Sequence, residues 1–185
     1  MPAELPGAAA EPAWRPALAQ ALTTGASAPE SRYLQLATLG LDGRPCNRTV
    51  VFRGFGPDSA LLVLTDRRSR KCAELARAPQ AELAWYFALS REQFRLAVTV
   101  QMHGAGTRGD WQLLRQRLWD QRGAQGQAEW LGLLPDRPLA EPVDDFVLLA
   151  CRVARVDHLE LLPSPHRKTR YWSAGGHWQV GTGPD

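Results

Sequence analysis

Three short stretches of strand-like character follow one another between residues 32 and 65, separated by turn signals. Residues 32–41 (RYLQLATLGL) alternate, residues 46–55 (CNRTVVFRGF) follow, and residues 60–65 (ALLVLT) form a short apolar run. Asp42-Gly43-Arg44-Pro45 and Gly56-Pro57-Asp58 lie between them, and Gly43 is free to take the positive φ that a tight turn demands. A meander of hairpins of this kind is the pattern of a barrel or sandwich.

The rest of the chain extends the meander. Residues 14–22 read as a short amphipathic helix, and Pro29 and Glu30 lead into the first strand. Residues 69–77 read as a helix with Ser69 as its N-cap and Pro79 as its stop. Residues 81–88 and 92–103 are two longer strands. Asp110 caps a helix reaching about Arg122, with Trp111, Leu114, Leu118 and Trp119 on one face. That spacing assigns Trp111 and Trp119 to core or dimer-interface packing. The Gly-, Gln- and Pro-rich stretch 123–142 reads as a loop, and strand character returns over 146–162, around Tyr171 and Trp172, and at Trp178. Antiparallel hairpins dominate, which points to a closed or split barrel with peripheral helices. Residues 1–13, rich in Ala, Pro and Glu, read as a disordered tail, and residues 14–185 as a single domain. A length of 185 residues suits one domain, and 44% hydrophobic residues suffice for a core.

A net charge of +3 is too mild to argue for nucleic acid. Cys46, Cys72 and Cys151 are scattered, with no metal-ligand spacing, and fit free thiols in a reducing, cytoplasmic setting. The N-terminus has no basic start followed by an apolar run, and no uninterrupted apolar stretch reaches the roughly 18 residues of a membrane span. Neither a signal peptide nor a membrane role is expected.

The chemistry concentrates in a set of cations. Arg48 and Arg53 lie five residues apart on the second strand, so without a bulge they point to opposite faces. Arg67, Arg68, Arg70 and Lys71 crowd the entrance to the next helix. A helix N-terminus already carries partial positive charge and free N–H groups, so Arg70 and Lys71 there raise the electrostatic energy unless an anion is present. A bound phosphate resolves that conflict; a solvated basic turn is the plainer alternative.

The run Arg48-Thr-Val-Val-Phe-Arg53, then Leu64-Thr65-Asp66, Ser69-Arg70-Lys71 and Glu92-Gln93-Phe94-Arg95 resembles the pyridoxamine 5′-phosphate oxidase family in order and approximate spacing. The resemblance covers most of residues 14–180, is best over 31–103, and is closest to the oxidase-related FMN-binding branch. It implies a mainly β (α+β) fold, an antiparallel Greek-key split β-barrel with peripheral helices. It also implies a homodimer with FMN at the subunit interface and a small-molecule substrate.

Residue by residue, the resemblance places Arg48, Ser69, Arg70 and Lys71 at the FMN phosphate. Thr49, Val50 and Val51 would lay backbone along the flavin, and Leu64 and Thr65 would contact the cofactor. Arg53 takes the place of a family lysine near flavin and substrate. Gln93 would reach the flavin from the other subunit, while Arg95 belongs to the closer branch and reads equally as half of a surface ion pair. Arg167, in preference to Arg170, would touch the flavin.

At the substrate end the chain departs from the oxidase. An Arg-x-His-Asp-Arg pattern gives way to His166-Arg167 and Arg170, and a family tryptophan is replaced near Leu159. Arg122 sits where the oxidase holds the substrate phosphate, but Leu118 and Gly126 lie near its Tyr and Ser companions. Val98 stands where the closer branch has glycine. Arg53, Arg122 and His166 are the candidates for substrate contact, and no general base is evident. An FMN-dependent oxidoreductase is the reading these residues favour. The alternatives are a non-catalytic FMN-binding or flavin-sensing protein, and a haem- or nucleic-acid-binding split barrel.

Overall fold

Strand β1 (Tyr33–Leu39) buries Leu34, Leu36 and Thr38 and turns the residues between them outward. It pairs antiparallel with β2 (Pro45–Phe55), from Leu39 opposite Pro45 to Tyr33 opposite Val51. The turn between them uses Gly43 at φ 79°, and the Asp42 carboxylate accepts the Arg44 N–H at 3.2 Å. The computed structural model describes residues 11–131 and 140–181. Most of the expected 1–13 tail therefore lies outside the described residues.

Strand β3 (Leu61–Asp66) leads through helix α2 (Arg70–Arg77) to β4 (Gln80–Phe87), β5 (Glu92–His103) and the long β6 (Phe146–Glu160). The spatial order β3-β2-β1-β4 is a Greek key, and β5 and β6 continue it. Pairing of β3 with β6 closes six strands into a barrel. Beyond Cys151, β6 leaves β3, and from Arg155 it pairs instead with β7 (Arg167–Ala174), whose hairpin partner is β8 (His177–Gly181). Helix α1 (Arg15–Thr24) docks on the barrel through Leu18 and Ala21, and the preceding Trp14 meets Trp178 edge-on at 5.9 Å.

Two cores explain the hydrophobic pattern. The barrel interior holds Leu34, Leu36, Phe52, Trp85, Phe94 and their neighbours. A second cluster, on the outer side of β3 and β6, holds Leu62, Phe146 and Leu148 under Leu118 and Trp119 of helix α3 (Asp110–Asp120). Strands β3 and β6 are buried on both faces there, which is why they read as unbroken apolar runs. Trp119 is fully buried and Trp111 packs against the same cluster, so both serve the core. Val98 packs inside the barrel, beside the shift in β5–β6 register.

Two local expectations need correction, and a third holds in position alone. Residues 123–131 are helix α4 (Gly123–Leu131), not loop; residues 132–139 of that stretch lie outside the described residues. Glycine lowers helix propensity, but packing supplies what propensity lacks: Trp130 meets Phe146 edge-on at 4.9 Å and Gln127 donates to the Trp119 carbonyl. The N-cap of α3 is Gly109, at φ 66°, and Asp110 lies in the first turn, where its charge still suits the helix dipole. Ser69 occupies the N-cap position of α2, but its side chain makes no capping bond. Its hydroxyl donates instead to the Asp66 carbonyl at 2.6 Å.

Candidate functional site

On β2, Arg48, Val50 and Phe52 share the barrel side, whereas Thr49, Val51 and Arg53 face outward. Arg53 is the extra residue of a bulge, because the β2–β3 register shifts between Phe52 and Gly54. Gly54 absorbs the distortion at φ 131°. The shift returns Phe55 to the side of Phe52, their rings 4.9 Å apart. Arg48 and Arg53 therefore end on opposite sides, as their spacing predicts.

The bulge also marks where the strands part. β2 pairs with β3 only from Phe52 onward, while Leu64, Thr65 and Asp66 pair with β6. Helix α2 bridges the gap, reaching β2 through Glu74 and β3 through Lys71. Glu74 is fully buried and accepts hydrogen bonds at 2.6 Å from Arg48 Nη2 and from the Thr38 hydroxyl. Arg70 Nε lies 3.2 Å from its other oxygen, one helical turn away. Arg48 also donates to the Thr38 hydroxyl. Burial pushes the Glu74 carboxyl upward, but the bonds from Thr38, Arg48 and Cys46 outweigh it and hold the group below the ordinary glutamate range.

Lys71 is half-buried, and its Nζ donates to Thr65 Oγ1 at 2.8 Å. Thr65 Oγ1 lies 3.2 Å from Ser69 Oγ. Burial, assisted by the charge of Arg48, pushes the Lys71 amine below its ordinary range. The nearby Asp66 does not neutralise it directly: Arg68 grips both Asp66 oxygens and holds that carboxyl below the usual range. Three cations, Arg48, Arg70 and Lys71, thus surround one buried carboxylate. Beside them stand two hydroxyls and a helix start without a side-chain cap. Such an arrangement has the donors and charge that suit an anion with several oxygens.

Across the gap, on the outer side of β2 and β3, lies a basic cavity of about 350 Å³. Arg32, Arg53, Leu64, Leu118, Arg122 and Glu129 line it, with Gln121 and Gly126. Arg122 Nε donates to the Gly126 carbonyl at 2.9 Å, and its guanidinium lies 5.1 Å over the Trp130 ring. Burial and then the charge of Arg53 push Arg122 below the usual arginine range. Two like charges beside one cavity favour an anionic occupant.

The profile of the family described as pyridoxamine 5′-phosphate oxidase, FMN-binding domain, matches residues 11–104. A protein of Arabidopsis thaliana named pyridoxine/pyridoxamine 5′-phosphate oxidase 2 is 34% identical over 164 residues, covering 80% of this chain and 83% of its own length. The chain belongs to this oxidase family. A crystal structure from Nostoc punctiforme, described as a pyridoxamine 5′-phosphate oxidase-related, FMN binding protein, superimposes with a TM-score of 0.87. It shares 35% identity, over 94% of this chain and 98% of that one. PhzG from Burkholderia lata, solved with tetrahydrophenazine-1-carboxylic acid, shares the fold at a TM-score of 0.73 and 21% identity, over 97% and 96% of the two chains. A pyridoxine/pyridoxamine 5′-phosphate oxidase of Thermosynechococcus vestitus matches over 80 residues only, 43% of this chain and 37% of its own length.

Other residues expected from the oxidase family pattern lie away from cradle and cavity within one chain. Val50 puts its side chain in the core, leaving only its backbone for a ligand, and the Thr49 hydroxyl accepts from Gln35 at 3.1 Å. Gln93 stands on the outer face of β5, opposite Tyr86 and Leu159. Arg95 grips Glu82 at 2.7 and 3.0 Å, the surface ion pair of its plainer reading. Arg167 is exposed and forks onto Glu160 at the end of β6, whereas Thr65 pairs with Val147 near that strand's start. Arg170 is buried with Asp157 at 2.5 Å. His166 is exposed and does not line the basic cavity, so of the substrate set the structure joins Arg53 to Arg122 alone.

Sequence reasoning missed Glu74, Thr38 and Arg32. Thr38 falls in the inward series Leu34, Leu36, Thr38, and Glu74 falls one helical turn after Arg70. A polar residue at an inward position was the available signal for Thr38.

Proposed function

We propose that this chain binds FMN and acts as an oxidoreductase on a small anionic substrate, as a homodimer. The observation that carries the reading is the cradle at the start of α2. Lys71 and Ser69 each stand within hydrogen-bond reach of Thr65 beside Arg48 and Arg70, with cationic charge in excess. These residues fit a phosphate, and the free half of β2 beside it offers the backbone of residues 48–51. Lys71 and Arg70 would hold the FMN phosphate, Thr65 and Ser69 would orient it, and Glu74 keeps Arg48 in place. FMN, when bound, supplies a ring that takes up hydride. Arg53 stands at the gap where its charge would stabilise negative charge on that ring. Arg122 and Arg32 would hold the anionic end of the substrate in the basic cavity.

The test is an absorbance scan of the purified protein followed by FMN titration. A flavin spectrum is expected. Each lost charge-assisted contact is worth roughly 1.5–3 kcal/mol, so Arg70→Ala/Lys71→Ala should weaken FMN binding by about a hundredfold or more. Unchanged affinity in the double variant would show that the phosphate lies elsewhere.

A further inference from the structure

At the far end of β6 a second polar cluster stands apart from the cradle. Glu92 of β5 and Glu160 of β6 are directly opposite in register, and His158 lies two residues along on the same face. Like charges directly opposite on neighbouring strands repel. Arg167, opposite Glu160 on β7, grips both oxygens of that carboxylate and answers one of the two charges. Glu92 keeps only a 3.3 Å bond from the Ser90 hydroxyl.

His158 is the independent observation. It is 4% exposed, and its ring stacks on Phe94 at 4.1 Å and 11°, which fixes where its edge points. Its Nε2 has no hydrogen-bond partner and lies 3.9 Å from Glu92 Oε2, too far for a hydrogen bond. A buried ring nitrogen without a partner is costly, so the arrangement asks for something between the two groups. One donor atom from each of Glu92, His158 and Glu160 falls within a mutual distance of 4.8 Å. Donors around one tetrahedral ion are about 3.5 Å apart, given bonds of about 2.1 Å. Glu92, held by the 3.3 Å Ser90 bond, is the carboxylate whose rotation would close that difference, Arg167 holding Glu160 in place. The cluster opens into a basin of about 400 Å³ bounded by α1 and Tyr171, which leaves room for a further ligand.

We propose that Glu92, His158 and Glu160 form a binding site for a divalent transition-metal ion, zinc or one of like preference, at the β5–β6–β7 end of the barrel. An imidazole and two carboxylates are a donor set such an ion accepts, and three protein ligands leave one position open. The ion would answer the second carboxylate charge and satisfy His158 Nε2 together.

Calorimetric titration of the chelator-treated, full-length protein with zinc chloride tests this. One zinc per chain is expected, and His158→Gln and Glu92→Gln should each weaken binding roughly tenfold or more. His166→Gln, at an exposed histidine outside the cluster, should bind zinc as the wild type does. A wild type that takes up no zinc overturns the site. Equal binding by wild type and Glu92→Gln overturns it as well, and that variant gives the answer should His158→Gln fail to fold. The outcome is independent of flavin, because a colourless protein can still take up zinc at this cluster.

Discussion

Glu74 is buried without solvent contact, and it stays ionised because Thr38 and Arg48 donate to one of its oxygens while Arg70 lies beside the other. Arg48 is thereby fixed between β1, β2 and α2 instead of swinging freely. Removing one partner of a buried pair leaves the other charge poorly solvated. Glu74→Gln should therefore cost about 3 kcal/mol at pH 7, the lower end of the usual range because Arg48 keeps some solvent contact. The folded-state pKa of Glu74 is lowered, so its contribution is complete above the ordinary value of 4.5 and is lost as pH falls through the folded value. The stability difference between wild type and Glu74→Gln should accordingly shrink on acidification below about pH 4.5. Urea denaturation across pH measures both effects, and a variant as stable as the wild type at neutral pH would show that the pair holds nothing together.

At the scale of elements, the hairpins β1–β2 and β2–β3 were legible because alternation and turn chemistry agree, with Gly43 at the turn. The cradle was legible for a similar reason: Arg70 and Lys71 conflict with a bare helix start, and such a conflict points to a ligand. Helix α4 was not legible. Its glycines argue for a loop, and what overrides them is Trp130 on Phe146, a contact between residues remote in sequence. The β2 bulge was not read from the sequence, although a glycine inside a strand-like run, Gly54 beside Arg53, is the local mark such a shift leaves. Gly54 carries that shift. No atom lies within 4 Å of the position a Cβ would take there, so the barrier to a side chain is the φ of 131° alone. Gly54→Ala should destabilise the protein by roughly 1–3 kcal/mol, read from chemical denaturation. It should also disturb Arg53, since the bulge sets which way that residue points. An alanine variant of wild-type stability would mean that the bulge relaxes without loss.

At the scale of the whole molecule, the proposed cofactor site asks for a residue that one chain does not bring to the cradle. Arg53 and the cradle open near the gap between β2 and β3, yet Gln93 stands on β5, separated from β2 by β1 and β4 and from β3 by β6, on the outer face shared by β1, β4 and β5. Within a barrel, residues on separate outer strands do not converge, so if Gln93 serves the proposed cofactor site, a second copy is the simple way to bring it there. The same face exposes Tyr33 at 48% and Tyr86 at 53%, large apolar rings that a partner would cover. Aromatic side chains so placed dominate interface energy, and a charge introduced among them opposes association. Light scattering should give the mass of two 20.5 kDa chains, and Tyr86→Asp should shift that mass toward one. If Gln93 acts across the interface, the monomeric variant should also lose FMN affinity even though its own Arg70 and Lys71 are untouched. A Tyr86→Asp monomer that binds FMN as tightly as the wild type would place the whole cofactor site within one chain.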